Sequence, residues 1–553
     1  MTPLSPTATP TATATITPPL AALAPAAATS TPVAVAVFDF LLLTCGRLLG
    51  VRSSARESAL KQLVSVQVTG MCHGYRLCDS AYTAGGGSLG VLPAFLRTAR
   101  CPGHMQAHCT AQQPCVARRA GARVQPRRRT SPGGFLGQDS TSPRTRVGAA
   151  AAMATEPLQP FEFASAGRIV FGRGKALQTV PQWAKEQNAK SALLVTGTNT
   201  QRAQPFADAL KALGVRTTFF PVGPGEPTLE TAEACTEAAR ACGAEVVISI
   251  GGGSAVDTGK AVAALVRQPE GLLTYMEVVG AGKAITERPL PFCAVPTTAG
   301  TGSEVTRNSV FESPTAGVKA SIRHAWMLPS LAIVDPLLTV DVPPSVTACT
   351  GLDALTQCME PYVCCSPNPM VDALALEGLR RAGRSVRVVY ADGKDLNARE
   401  DMCVASLFGG LSLANAKLGA VHGFAGPLGG MIHGPHGGLC AALLPACMTV
   451  NVTALREAAR GTDGAAAAAR MGLERYNTVA QLLTNRSDAT AEDGVKWIKE
   501  TCSLLSIPGL ASYGMTRERF AEAVEKGKKS SSMKGNPIAL SDAQLTQILE
   551  MSM

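Results

Sequence analysis

The chain has 553 residues, 46% of them hydrophobic, and a formal net charge of +10. Residues 1–150 hold 15 basic side chains against 4 acidic ones, whereas the remaining residues carry 36 basic and 37 acidic groups. Because this main body is nearly neutral, we expect no nucleic-acid partner. Val33 to Leu43 comes nearest to a membrane-spanning run, and since Asp39 interrupts it, we expect no membrane association.

Residues 1–152 differ in composition from the rest of the chain. Residues 1–30 are a charge-free Thr, Pro and Ala tract, and residues 97–146 are rich in Arg, Pro and Ser. Neither segment has a helical or strand period, which predicts a disordered extension. An Arg-rich, acid-poor extension suits an organelle transit peptide and thus a plastid or mitochondrial protein. If translation starts at Met153, the extension is a gene-model artefact and we expect a cytoplasmic protein.

Strand and helix patterns alternate over residues 160–338. Apolar, β-branched strands are predicted at 191–197, 215–222 and 244–250, and helices at 201–214, 228–243 and 254–266. This alternation is typical of a dinucleotide-binding α/β domain with a parallel sheet and crossover helices. After Asp335 the strand patterns stop, and Ala- and Leu-rich segments predict an all-helical domain over residues 339–553. The 17 cysteines have no disulfide-like or zinc-like spacing, so we expect reduced, mostly buried thiols.

The segment "ISIGGGSAVDTGKA" places three glycines between a predicted strand and a helix. Glycines allow close approach of a phosphate, and the helix amino terminus supplies N–H donors. The segment departs from the Gly-x-Gly-x-x-Gly fingerprint at Val256 and from the phosphate-loop fingerprint at Ser254. It therefore predicts a phosphate cradle, with a plain strand-to-helix turn as the alternative.

The segment "VPTTAGTGSEVT" also follows a predicted strand. Its hydroxyl side chains and glycines could wrap a polar ligand, although an ordinary polar turn would look the same. Two glycine-rich loops after two strands of one sheet favour a dinucleotide ligand.

A third group of residues has the chemistry of a metal site. Asp353 lies in the apolar helical run "GLDALTQCMEPY", and His422 and His436 lie in "LGAVHGFAGPLGGMIHGPHGG". Two imidazoles and a carboxylate suit a borderline divalent metal. A single such histidine would more simply be a hydrogen-bonded core residue, but the three together favour the metal.

In this order, the four motifs resemble the iron-containing (group III) alcohol dehydrogenase family, from about Phe161 to the end of the chain. The resemblance implies a divalent metal, Fe²⁺ or Zn²⁺, in the helical domain and NAD(P) in the α/β domain. It implies an NAD(P)-dependent oxidoreductase that interconverts a small alcohol and its aldehyde or ketone. We also expect a homo-oligomer, a dimer.

The resemblance also implies roles for individual residues. Asp257 would lie near the nicotinamide, and Lys319 would contact the cofactor. The pyrophosphate loop would comprise Gly251, Gly252, Gly253 and Ser254, and the cofactor cleft would be lined by Thr297, Thr298, Thr301 and Ser303. Asp353, His422 and His436 fall on three of the four family metal ligands, and Gln357 stands where the fourth, a histidine, is expected.

Gln357 leaves two outcomes open. A carboxamide oxygen is a weaker, harder donor than imidazole, so the chain either keeps a metal with Gln357 weakly bound or resembles the metal-free maleylacetate reductases. Since a buried Asp353 without a cation would be costly, we expect the metal to be retained. A dehydroquinate-synthase-like lyase is a further alternative. The family's proton-relay histidine is replaced by Gly426, which leaves His433 as the catalytic candidate or as a solvated loop residue.

The residues at the end of the predicted strand 191–197 and just after it predict the cofactor preference. NAD-preferring relatives often carry an aspartate where this chain has Gly197, followed here by Asn199 and Arg202. Without that negative charge, and with an arginine in reach, a 2′-phosphate is tolerated. We expect Gly197 and Asn199 to contact the cofactor and NADPH to serve at least as well as NADH.

Overall fold

A computed structural model of the chain describes residues 160–313 and 318–553. The predicted extension over residues 1–152 therefore lies outside the described residues. The described part begins with a parallel α/β sheet and continues as a mostly helical region. This architecture confirms the predicted fold class.

In the described part of the chain, the α/β region contains eight strands and five α-helices. The strands are β1 (Ile169–Phe171), β2 (Ser191–Thr196), β3 (Arg216–Pro221), β4 (Val246–Gly251), β5 (Phe292–Pro296), β6 (Asn308–Ser313), β7 (Val318–Arg323) and β8 (Leu331–Val334). The helices are α1 (Lys175–Glu186), α2 (Gln204–Ala212), α3 (Leu229–Ala241), α4 (Gly253–Leu265) and α5 (Leu272–Tyr275).

Six of these strands form one sheet in the order β1-β8-β5-β4-β2-β3, and every pair in it is parallel. β2, β4 and β5 are buried along their whole length, as expected for central strands covered by helices on both faces. β4 and β5 are neighbours, and Gly251 is in register with Pro296 at their carboxyl ends. The two glycine-rich loops therefore leave the same edge of the sheet.

The hairpin formed by β6 and β7 was not predicted from the sequence. Its strands pair antiparallel from Asn308 with Arg323 to Ser313 with Val318. The buried positions of β6 are Ser309, Phe311 and Ser313, so only one of three inward residues is apolar. A period-2 hydrophobic pattern is absent for that reason.

The chain after β8 contains nine α-helices within the described residues. They are α6 (Pro344–Val363), α7 (Pro369–Ala391), α8 (Leu396–Asn415), α9 (Ala420–Ile432), α10 (His436–Ala458), α11 (Gly464–Thr484), α12 (Ala491–Leu504), α13 (Phe520–Lys529) and α14 (Asp542–Met551). Their apolar faces share one core cluster with Val305 of the loop after β5 and Ala332 of β8. The sheet and the helices are thus packed against each other through a continuous core.

Helix α10 is the one described helix that alone is long and apolar enough to cross a membrane. This helix was not predicted as an apolar run from the sequence, where Val33 to Leu43 stood out instead. Within the protein, 83% of its most apolar window is buried. α8 and α9 meet the same criterion only as a pair, and they are bent by 91°. Burial of this kind is typical of a helix at the centre of a folded core.

The loop after β5 contacts α8 through two glycines. Gly302 has a left-handed backbone with φ of +59°, and a β-carbon there would lie 2.4 Å from Cα of Gly410. We expect Gly302→Ala to lower the free energy of unfolding by about 2 to 5 kcal/mol, because it adds both backbone strain and an overpacked contact. Urea denaturation measures the change.

Gly223→Ala is the matched control for this prediction. Gly223 has an ordinary φ, and within the described part of the chain no atom lies within 4 Å of its would-be β-carbon. The control should change stability by less than about 0.5 kcal/mol. Equal stability of Gly302→Ala and the unaltered chain would contradict the proposed close contact.

Candidate active site and metal centre

Asp353 lies on the buried face of α6 and is 1% exposed. Neither of its carboxylate oxygens has a hydrogen-bond partner among the described residues. Nε2 of His422 on α9 lies 3.5 Å from Oδ1 of Asp353, and Nε2 of His436 on α10 lies 3.9 Å from the same oxygen. The structure therefore brings together the three residues predicted as metal ligands.

Glu360 holds the ring of His422 in place. Its Oε1 accepts a hydrogen bond from the Val421 backbone N–H at 2.7 Å, and its Oε2 lies 2.7 Å from Nδ1 of His422. Since a carboxylate can only accept, Nδ1 carries a proton, and in the neutral ring that a metal would require Nε2 keeps its lone pair. That Nε2 is buried and has no hydrogen-bond partner among the described residues. A carboxylate behind a histidine is the usual support for a metal-binding imidazole.

Cys440 is a fourth donor in the cluster, which the sequence analysis did not single out. It is fully buried one helical turn beyond His436 on α10, and its Sγ lies 3.7 Å from Nε2 of His436. One ligand atom from each of Asp353, His422, His436 and Cys440 lies within 4.8 Å of all the others. The spacing of His436 and Cys440 in "HGGLC" was the available signal, because i and i+4 share a helix face.

Gln357 lies beside this cluster, one turn after Asp353 on α6. It is 2% exposed, and its Oε1 has no hydrogen-bond partner among the described residues. Its side chain packs against α8, where a β-carbon on Gly409 would lie 3.0 Å from Cβ of Gln357 and 3.5 Å from its Oε1. The side chain of Gln357 thus lies between the cluster and α8.

The charges of the cluster depend on one another. Burial opposes ionisation of Asp353, yet His422 and His436 hold the pKa of its carboxyl below the usual value. Burial likewise opposes protonation of the histidines, but Cys440 and Asp353 raise the pKa of His436 to about 9 and raise that of His422 well above its usual value. The site stabilises a positive charge. A buried carboxylate with unpaired oxygens, two imidazoles and a thiol therefore fit a divalent metal.

The first glycine loop connects β4 to α4. Gly253 approaches the second loop so closely that a β-carbon there would lie 2.9 Å from Cγ2 of Thr301, and a β-carbon on Gly252 would lie 3.6 Å from Thr298. The Thr297 N–H donates to the carbonyl of Gly251 at 2.9 Å. These contacts bring the predicted cofactor residues of the two loops together at the carboxyl edge of the sheet, where ligands of parallel sheets bind.

Lys260 ties the two loops to each other and was missed in the sequence analysis. It is 1% exposed, and its ammonium donates to Ser303 Oγ at 3.0 Å, Thr306 Oγ1 at 2.9 Å and the Asn308 carbonyl at 2.7 Å. Asp257 lies 3.5 Å from the same ammonium. Its carboxylate also accepts from the hydroxyl of Ser303 and, at 3.0 Å, from the Val310 N–H. Asp257 is therefore engaged within the protein and braces the loops.

A chain of contacts joins the first glycine loop to the metal cluster. The Ser254 hydroxyl donates to the carbonyl of Gly225 at 2.6 Å, and the next residue, Glu226, accepts the backbone N–H of His436 at 3.1 Å. Lys319 of β7 makes an ion pair of 3.2 Å with Glu226. Although burial favours the neutral acid, Lys319 and His436 hold the pKa of Glu226 below its usual value.

The remaining predicted residues lie outside the metal cluster. Gly197 follows β2, and the side chain of Asn199 accepts from Gln201 N–H at 3.1 Å and so caps a short 3₁₀ helix. His433 ends α9 with a left-handed backbone, its side chain is 62% exposed, and Nδ1 contacts the carboxylate of Glu312. Its catalytic role and the individual cofactor contacts stay predictions.

Two family models match the chain in succession. Residues 166–336 match the iron-containing alcohol dehydrogenase model, and residues 347–553 match the carboxyl-terminal model of the same family. The chain belongs to the iron-containing alcohol dehydrogenase family. The resemblance inferred from the four motifs is confirmed, and the chain is an oxidoreductase with NAD(P) and a divalent metal as its cofactors.

Curated relatives in this family carry related activities in their names. A probable alcohol dehydrogenase of Salmonella typhimurium is 34% identical over 62% of this chain and 82% of the relative. Alcohol dehydrogenase 4 of Saccharomyces cerevisiae is 32% identical over 69% of this chain and 95% of the relative. A sulfoacetaldehyde reductase of Bilophila wadsworthia is 30% identical over 69% of this chain and 96% of the relative.

Solved structures in the family share the fold. A 1,3-propanediol oxidoreductase aligns with a TM-score of 0.64 at 30% identity, covering 71% of this chain and all of that one. A sulfoacetaldehyde reductase from Bifidobacterium kashiwanohense, solved with NAD⁺, aligns with a TM-score of 0.62 at 29% identity, covering 71% of this chain and 98% of that one.

Glu360→Gln should weaken metal binding by this alcohol dehydrogenase about 10- to 100-fold, as supporting partners of metal ligands typically do when changed. An amide can donate as well as accept, so it no longer fixes the proton on Nδ1 of His422. Zn²⁺ retention after dialysis against graded chelator measures the effect. Glu457→Gln, on the exposed face of α10, is the control. Unchanged affinity of Glu360→Gln would argue against this support.

Glu304 in the second loop should make stability depend on pH. Burial raises the pKa of its carboxyl to about 7 from an unfolded value of 4.5, and backbone hydrogen bonding and Lys260 only partly oppose this. Between these values the folded chain binds more protons than the unfolded one, so stability falls as pH rises. Glu304→Gln should remove up to about 3 kcal/mol of this loss between pH 4.5 and 8.

Urea denaturation at several pH values measures this difference. Glu237→Gln, on the exposed face of α3, should keep the pH dependence of the unaltered chain. An identical dependence in Glu304→Gln would contradict the assignment.

Proposed function

We propose that this protein reduces small aldehydes or ketones and oxidises the corresponding alcohols, with hydride passing between C4 of a nicotinamide and the carbonyl carbon. The observation that carries the proposal is the buried cluster of Asp353, His422 and His436, in which both Asp353 oxygens and Nε2 of His422 have no hydrogen-bond partner among the described residues. Gly225 and Glu226 hydrogen-bond to Ser254 of the first glycine loop and to His436 of the cluster. The proposed cofactor and substrate sites are therefore linked by direct contacts.

The residues of the chain divide the work between binding and orientation. The loop at Gly251 to Ser254 binds the pyrophosphate through backbone N–H groups at the amino terminus of α4. Lys260 and Asp257 hold the second loop against it, which fixes the nicotinamide end. Asp353, His422 and His436 would hold the metal, and Glu360 keeps Nε2 of His422 turned toward it. The metal, when bound, supplies a Lewis acid that polarises the carbonyl oxygen and stabilises the alkoxide.

Several relatives have small substrates in their names, among them a 4-hydroxybutyrate dehydrogenase of Cupriavidus necator and a 1,3-propanediol dehydrogenase of Citrobacter freundii. Another, a long-chain-alcohol dehydrogenase of Geobacillus thermodenitrificans, names a longer substrate. The proposal of a small substrate rests on the first group. The dehydroquinate-synthase-like alternative needs clustered Lys and Arg side chains to bind a phosphate and a carboxylate. Residues 404–450 contain one such side chain, Lys417, which argues against this alternative. The metal-free, maleylacetate-reductase-like alternative rests on Gln357, and the burial of Asp353 without a hydrogen-bond partner among the described residues argues against it.

Aldehyde-dependent NADPH oxidation, before and after metal removal, tests the proposal. We expect chelation to abolish turnover and Zn²⁺ or Fe²⁺ to restore it. Asp353→Asn should lower kcat/KM at least about 100-fold, since it removes the charged ligand. Asp208→Asn, on the exposed part of α2, is the control. Full activity of the metal-free protein would instead support the maleylacetate-reductase-like alternative, and no oxidation with any aldehyde would reject the proposal.

The cofactor preference is tested at Gly197. No atom of the described residues lies within 4 Å of its would-be β-carbon, so an aspartate fits there without repacking. Gly197→Asp should raise KM for NADPH at least about 10-fold by repelling the 2′-phosphate, and change KM for NADH only a few-fold. Steady-state kinetics with both cofactors measure this, and Gly197→Asn separates charge from size. Equal effects on both cofactors would contradict the proposed NADPH tolerance.

We also propose a homodimer, for which the edge strand β1 is the supporting feature. Among the described strands it pairs with β8 alone, and Phe171 at its end is 37% exposed. An open, apolar strand edge favours pairing with a second copy. Sedimentation equilibrium should give twice the chain mass.

A further inference from the structure

We propose that Cys440 is the fourth protein ligand of the metal, as a thiolate, and replaces the imidazole that this chain lacks at Gln357. The inference rests on the metal-assisted function proposed above and specifies the coordination of the same site. The family resemblance provides a histidine at position 357, and this chain has no histidine there. The structure provides a sulfur in the same cluster instead.

The distances among the four donor atoms fit one metal ion. With Zn–N bonds of about 2.0 to 2.1 Å and Zn–S bonds of about 2.3 Å, tetrahedral donors lie about 3.3 to 3.6 Å apart. Asp353 Oδ1 and His422 Nε2 are 3.5 Å apart, and His436 Nε2 and Cys440 Sγ are 3.7 Å apart. Asp353 Oδ1 and His436 Nε2 are 3.9 Å apart, and no pair exceeds 4.8 Å. Movements of the four donor atoms by a few tenths of an ångström to about 1 Å would bring them to the spacing of a tetrahedral metal site.

The backbone presents Cys440 in the right direction. His436 and Cys440 are four residues apart on α10, an arrangement in which two side chains of one helix bind one metal. Residues 438 to 444 of α10 are all buried. The sulfur is therefore held by the core and is not free to turn toward solvent.

Charge also favours the thiolate over the amide. Among the direct ligands, Asp353 supplies a single negative charge to a divalent ion, whereas Asp353 and a Cys440 thiolate together match its charge of +2. Gln357 brings no charge, and its oxygen packs against Gly409. A thiolate is also a softer ligand than imidazole or carboxamide, and softness favours Zn²⁺ over hard divalent ions. We infer a site that binds Zn²⁺ or Co²⁺ tightly.

Co²⁺ substitution tests this inference independently of turnover. The full-length protein is stripped with chelator, loaded with Co²⁺ and examined by absorption spectroscopy and metal analysis. We expect one Co²⁺ per chain with an intense thiolate-to-cobalt charge-transfer band in the near ultraviolet. Cys440→Ser should lose the band and weaken Co²⁺ binding at least about 100-fold, beyond what loss of a supporting partner costs. Cys440→His should keep the metal without the band, which also shows that the site still folds.

Three controls separate Cys440 from its neighbours. Cys349, the other thiol close to Asp353, and Cys447, two turns further along α10, should each keep the band when changed to Ser. Gln357→Leu should keep both the metal and the band. A full Co²⁺ load without the band in the unaltered chain, or a band that survives in Cys440→Ser, would overturn the Cys440 assignment alone. Failure to bind Co²⁺ at all would reject the metal-assisted function as well.

Discussion

The metal centre is built around one buried carboxylate, Asp353, which lies close to two imidazoles. Asp353 is 1% exposed and neither oxygen accepts a hydrogen bond among the described residues, so its charge must be balanced by a cation or by protonated imidazoles. Helices α9 and α10 bring His422 and His436 to it, and Glu360 fixes the first of these rings. The neighbouring positive charges hold the pKa of Asp353 low. A divalent metal would balance the charge of Asp353 and bind the lone pairs of both imidazoles.

A second constraint is that direct contacts link the metal centre to the cofactor loops. Gly300 of the loop after β5 approaches Thr350, one turn before Asp353, so closely that a β-carbon on the glycine would lie 2.6 Å from Thr350 Cβ. On the other side, Glu226 accepts the backbone N–H of His436, and its neighbour Gly225 accepts the hydroxyl of Ser254. Displacement of either loop would therefore move a metal ligand, which couples cofactor position to metal position.

Sequence patterns predicted the buried strands and their glycine turns because local burial leaves a local signal. The run "AEVVISI" corresponds to β4, and Asp353, His422 and His436 stood out because polar groups in apolar surroundings are conspicuous. Partners far apart in the chain left no such signal, as for Glu226 with Lys319 and His436, or Glu360 with His422. Cys440 was overlooked for a different reason: a buried thiol in an apolar helix looks like an ordinary core residue until His422 is brought beside it.

Anomalous diffraction from a crystal of the Zn²⁺-loaded protein tests the central claim most directly. Data on both sides of the zinc absorption edge locate the ion without reference to activity. We expect one strong anomalous peak per chain, enclosed by the carboxylate of Asp353 and the Nε2 atoms of His422 and His436, at about 2.0 to 2.2 Å from each ligand atom. A peak elsewhere, or no peak between α6, α9 and α10 in crystals that contain zinc, would contradict the account.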